Sequence, residues 1–196
     1  LRTPESHPRD PDRGGRLRDA LRIPSASHRR FLSVVAPMSP WVFGTAASAY
    51  AILPALLVDR VAGFEVGFAG LMCLVSLGCG VGAQTLARRI DLPGGCRGVT
   101  AALAAVVPGM LLAAATALTR SVALALVAAA ALGIGYGLLL VGGLMEVQRI
   151  AGPDDLAGLT AVFYSLSYVG FFVPAVLAAI SPVIGYPTLF VAGAVI

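Results

Sequence analysis

The sequence contains no Lys and no Asn, and its two His, His7 and His28, both lie near the amino terminus. Charged residues fill 12% of its 196 positions, about half the share usual in a soluble domain. Half of the 24 charged side chains fall in residues 1–30, which leaves twelve for the following 166 residues. So few charges cannot supply the polar surface of a soluble domain. A hydrophobic content of 58% equally excludes disorder for the main mass. What remains is a polytopic membrane protein.

The missing residue types also exclude chemistry. No His, Asp, Glu, Lys or Arg falls inside an apolar run. An intramembrane metalloprotease needs His or acidic ligands, and a Ser/His hydrolase needs a base at depth. Cys73, Cys79 and Cys96 show neither a CxxC nor a Cys/His spacing and read as structural thiols. We therefore expect no enzyme, no metal site and no cofactor. The net charge of +4 belongs to one arm: residues 1–30 hold eight Arg against Glu5, Asp10, Asp12 and Asp19, and the rest of the chain is neutral. That pattern is not a nucleic-acid-binding surface.

The charge-free runs define spans at 31–58, 66–87, 98–119 and 121–145. No charge follows Asp155, and 41 apolar residues are too many for one crossing of about 30 Å. Ser181-Pro182 and Gly185-Tyr186-Pro187 predict a turn, hence a fifth span at 156–180 and a sixth at 184–196. The sixth is short. The chain opens on Leu1 and ends within an apolar run, so a fragment of a longer protein is expected. Continuous Ala/Leu/Gly-rich runs favour helices over barrel strands. The fold expected is all-α, with a basic arm at 1–30 and a six-helix membrane domain at 31–196. With the arm inside, inner segments carry twelve Arg and outer segments two, Arg60 and Arg120. This bias predicts a cytoplasmic arm in a multi-pass protein of the cell membrane. The arm reads as a solvated linker beside anionic lipid.

Asp59, Glu65 and Glu146, at span edges, read as topology markers, and Asp154 and Asp155 as acids favouring a helix N-terminus. Helix-breaking residues follow a pattern: Pro37, Pro40 and Pro54 interrupt span one, and Gly133, Gly135 and Gly137 interrupt span four. Spans one and four correspond if six helices form two inverted triplets, and interrupted segments at corresponding positions point to a transporter's substrate path. Glycines at four-residue spacing, Gly78/Gly82 and Gly133/Gly137, equally allow close helix packing. Trp41, Thr45 and Ser48 share one face of span one; Tyr164 and Tyr168 share one in span five, with Phe171 at the next turn; Tyr136 sits among glycines. These six, Trp41, Thr45, Ser48, Tyr136, Tyr164 and Tyr168, are the candidates for lining a cavity; interhelical bonding or interfacial anchoring is the alternative for each.

After span two the sequence reads Gln84-Thr85-Leu86-Ala87-Arg88-Arg89-Ile90-Asp91. This resembles a degenerate copy of the major facilitator superfamily loop motif, roughly G-x-L-a-D-R-x-G-R-R. Leu86, Ala87 and Arg89 match; Arg88 stands where the family has an acid and Asp91 where it has a glycine. Gly133-Ile134-Gly135-Tyr136-Gly137 resembles the family's tenth helix. Pro153 to Gly158 resembles the approach to the eleventh, and Gly170-Phe171-Phe172-Val173-Pro174 a kink within it. The resemblance implies the carboxy-terminal half of a twelve-helix secondary transporter, with an amino-terminal six-helix half as partner. It also implies spans one and four as cavity helices and a proton gradient as the drive. The apolar, hydroxyl-bearing lining suits a small neutral or amphipathic molecule, exported as by an efflux permease. A permease subunit of an ATP-driven transporter, or a non-transporting scaffold or sensor, are the alternatives.

Overall fold

A computed structural model describes residues 23–90, 97–152 and 155–195, except for the side chains of 88–90 and 97–99. Among these residues every regular element is a helix and there is no strand, in keeping with the apolar runs. After a tight turn at Pro24–Ser27 come α1 (Phe31–Leu56), α2 (Glu65–Ile90), α3 (Arg97–Thr119), α4 (Val122–Ile150), α5 (Leu156–Ile184) and the short α6 (Tyr186–Val195). The first five are long and apolar enough to cross a membrane. The chain is thus a membrane-embedded helical protein.

Helix α1 changes pitch twice. It opens with a π-turn at Phe31–Val35 and returns to one at Ser48–Ile52. Each π-turn precedes a proline, Pro37 or Pro54. A proline ring collides with the carbonyl four residues back and offers it no N–H, so a widened turn relieves both problems. The Pro24 end of α1, hereafter the arm end, also carries the C-termini of α2 and α4 and the N-terminus of α5.

Helix α5 runs past the expected turn. Pro182 withholds the bond due to the Ala178 carbonyl, but the Ser181 hydroxyl donates to that carbonyl at 3.0 Å. The helix therefore continues to Ile184 and stops at Gly185, whose φ of 81° is accessible chiefly to glycine. In mid-course, at Gly170–Phe172, α5 tightens into a single 3-10 turn.

Packing centres on α1 and α4, whose most apolar stretches are 56% and 50% buried, against 22% for α2 and 11% for α5. Lipid is as apolar as Leu, so helices associate in a membrane by close fit. Gly133 and Gly137 supply it: a methyl group on either would run into the backbone carbonyl of Ser76 or Gly80 on α2. Gly170 of α5 meets the Pro40 carbonyl of α1 in the same way. Helix α4 stays regular through its glycines, which here admit neighbours. Gly78 and Gly82 face open space instead. Helix α3 passes into α4 through two residues only. Arg120 takes a left-handed φ of 54° and its guanidinium donates to the Leu56 carbonyl at the end of α1.

The expected end of span four is corrected. Helix α4 continues beyond residue 145 to Ile150, so Glu146 lies within it and is 3% exposed. It is a buried, ion-paired group.

Candidate functional site

Three spans bring aromatic rings to the same depth. Tyr136 is the middle residue of α4, Gly170 is that of α5, and Phe43 lies within one residue of the middle of α1. Phe43 stacks on Phe171 at 4.7 Å between centroids and on Tyr168 at 5.2 Å, with ring planes 14° and 9° apart. Tyr168 and Phe171 are 6.0 Å apart at 20°. Tyr136 approaches Phe43 at 5.8 Å, and Tyr164 approaches Tyr168 at 6.4 Å. The close crossing of Gly170 on Pro40 brings α5 near enough to α1 for this stack to form. Tyr168 is 55% and Phe171 45% exposed, so the cluster forms an outward face of this chain.

The hydroxyls in the spans fall into two groups. Ser39, Thr45, Ser48, Thr116, Thr160, Ser165 and Ser167 each donate to a carbonyl one turn back in their own helix. Tyrosine cannot do so, because its phenol is too long and rigid to fold back. The hydroxyls of Tyr136, Tyr164 and Tyr168 make no hydrogen bond to the described residues, and none is buried. Ser76 is the exception among the buried small hydroxyls of the described residues: it is fully buried between α2 and α4, and its Oγ has no partner.

The six candidate lining residues therefore part company. Tyr136, Tyr164 and Tyr168 join one cluster. Thr45 and Ser48 are fully buried, with hydroxyls bonded to their own helix, and offer a solute no free polar group. Trp41 lies across α1 from Phe43 and lines a separate apolar cavity of about 320 Å³ with Pro37, Met38, Val106, Leu139 and Gly193. Phe43, the hub of the cluster, was missed by the sequence reading. Its signal was depth: like Tyr136, it is an aromatic at the centre of a span.

The arm end holds the charged groups. Arg30 Nε donates to Glu146 Oε2 at 2.7 Å and Nη2 to Oε1 at 3.1 Å, while Arg149 Nη1 reaches Oε1 at 3.0 Å. One turn away, the Ser25 N–H and Oγ donate to Asp155 Oδ2 at 3.1 and 2.8 Å, and Ile23 packs over Gly158. Asp155 does stand at the N-terminus of α5, but its carboxylate holds the arm and caps no N–H of the helix. Ile23, Ser25 and Arg30 thus tie the end of the arm to the helices, while Ser27, His28 and Arg29 are exposed; residues 1–22 lie outside the described residues. In the loop motif Leu86 is 57% exposed and Ala87 buried. The side chains of Arg88 and Arg89, and the whole of Asp91, Cys96, Pro153 and Asp154, lie outside the described residues. Among the described residues no three His, Cys, Asp or Glu converge as for a metal.

No protein-family model, curated protein or solved structure matches this chain. The functional reading rests on the geometry.

Proposed function

We propose that the chain is one half of a secondary transporter of the major facilitator type, moving a small neutral or amphipathic molecule by alternating access. It sits in the cell (plasma or inner) membrane with its arm end facing the cytoplasm, and a second six-helix bundle completes it. The observation that carries this reading is the outward aromatic face at mid-depth with three unpaired phenol hydroxyls. Hydrocarbon offers no hydrogen-bond acceptor, so such a face is unsuited to lipid and suits a polar path or a solute. Midplane sites on interrupted helices are where rocking halves of a transporter hold their substrate, and α1 and α5 are both interrupted near this face. The export direction and a proton drive belong to the family resemblance.

The test uses single cysteines. In the full-length protein without Cys73, Cys79 and Cys96, Phe171→Cys is labelled with membrane-impermeant maleimides from each side of sealed vesicles. Alternating access requires labelling from both sides, and flux in proteoliposomes that responds to an imposed proton gradient. Labelling from neither side, or from one only, rejects the reading.

A further inference from the structure

We infer that Ser25 is a regulatory phosphorylation site, at which an arginine-directed kinase unfastens the arm from the helix ends. Ser25 holds two places in that fastening: its N–H and its Oγ both donate to Asp155 Oδ2, at 3.1 and 2.8 Å. Beside it Ile23 covers Gly158, and Arg30 grips Glu146, so the arm links the start of α5 to the end of α4. The hydroxyls of Ser39, Thr45 and Ser48 donate to carbonyls of their own helix, whereas that of Ser25 donates to an acid 130 positions away. A phosphate there replaces the donor by a group of about −1.5 to −2 charge, which repels Asp155 where the hydroxyl had bound it. One modification thus removes a bond and adds a repulsion at the same contact.

The sequence around Ser25 suits such an enzyme. Arg22 stands three residues before it, where a kinase with an acidic substrate groove pairs with a cation. Ser25 is half-buried in the docked arm. The kinase therefore takes the arm in its open state, and the phosphate then disfavours reclosure, a shift of population. In the transfer a bond forms from Ser25 Oγ to the γ-phosphorus of ATP as the bond from that phosphorus to the β–γ bridging oxygen breaks. The hydroxyl proton passes to the kinase's base, and ADP leaves. Arg29 and Arg30, four and five residues on, offer the phosphate cationic partners on the released arm. Ser27 is the contrast: it is exposed and its hydroxyl donates to the Pro24 carbonyl at 2.7 Å within its own turn, so a charge there breaks neither contact with Asp155. The modification requires the arm on the ATP-bearing side, as the Arg bias predicts, and does not depend on the transport reading.

The rate of trypsin cleavage after Arg29 and Arg30, in the full-length protein in lipid nanodiscs, reads the fastening. Ser25→Glu is expected to speed cleavage by about an order of magnitude, and Ser25→Ala, which loses one bond of two, by about threefold. Ser27→Glu should leave the rate within about twofold. With Asp155→Asn in place, which removes the negative charge, Ser25→Glu should be cleaved no faster than Ser25→Ala. Mass spectrometry of the protein isolated from its native cells should find phosphate on Ser25, and phosphatase treatment should return that fraction to slow cleavage. Four outcomes overturn the inference: no phosphate on Ser25 under any growth condition, a Ser25→Glu rate equal to that of Ser25→Ala, an excess that persists with Asp155→Asn, or an equal effect of Ser27→Glu. Labelling at Phe171→Cys is a separate readout, so this inference and the transport reading fail independently.

Discussion

Arg30, the last residue before α1, grips Glu146 near the end of α4 through two nitrogens, at 2.7 and 3.1 Å. The two residues are 116 positions apart, and the pair ties the arm to the central helix. The carboxylate is nearly buried, at 4% side-chain exposure, whereas Arg30 and Arg149 keep 42% and 35%. That asymmetry makes the two sides of the network unequal.

Removing Arg30 leaves a buried carboxylate with one partner, while removing Glu146 leaves two arginines that reach water. Arg30→Ala is therefore expected to destabilise more than Glu146→Ala. Because the arginine is partly solvated, its loss should cost about 2 kcal/mol, below the range for fully buried pairs. In thermal unfolding that is a fall of about 4–8 °C for a chain of this size. Arg30→Ala with Glu146→Leu should recover most of the loss, since an apolar replacement needs no partner.

The docked arm offers protease sites. Asp155→Ala removes both acceptor contacts of Ser25, each a hydrogen bond to a charged group and worth about 1.5–3 kcal/mol when fully formed. Limited trypsin digestion after Arg29 and Arg30 should then be faster by an order of magnitude or so, with cleavage elsewhere unchanged. An unaltered rate would show that Ser25 contributes nothing to holding the segment.

Glycines of one helix should respond differently from those of another. Gly133→Ala and Gly137→Ala drive a methyl group into backbone carbonyls of α2, which cannot rotate away; each should cost about 1–3 kcal/mol as overpacking. Gly78→Ala and Gly82→Ala meet nothing within 4 Å and should raise stability slightly through helix propensity. Thermal unfolding of the four variants in one detergent separates the two sets by sign.

Ser76 carries a buried hydroxyl without a partner. Ser76→Ala removes an unsatisfied group and almost no volume, so we expect a stabilisation of about 1 kcal/mol, read as a higher unfolding temperature. Ser48→Ala, which deletes a satisfied hydroxyl bonded to the Gly44 carbonyl, should not stabilise.

Much of the architecture was legible in residue order. Charge-free runs located the five long helices, because a residue's cost in hydrocarbon depends on its own chemistry. Pro37 and Pro54 marked where α1 changes pitch, because a missing N–H is a local fact. Span five was expected to end at residue 180, before Ser181-Pro182, but α5 runs on to Ile184 because a single hydroxyl, that of Ser181, offsets what the proline breaks. The pairing of Glu146 was not legible for a related reason: an acid at the end of an apolar run shows no partner until the fold brings Arg30, 116 positions away, beside it.

Composition and spacing by themselves determined that this is a helical membrane protein, roughly where its spans lie, and that Tyr136, Tyr164 and Tyr168 belong to spans four and five. Only the tertiary structure decided which polar groups remain open. Thr45 and Ser48 looked equivalent to the tyrosines in sequence, yet their short hydroxyls close onto their own helix while the phenols cannot. It also decided that Tyr168 and Phe171 stack on Phe43, because that depends on Gly170 letting α5 approach the backbone of α1, a contact between residues 130 positions apart that no local pattern encodes.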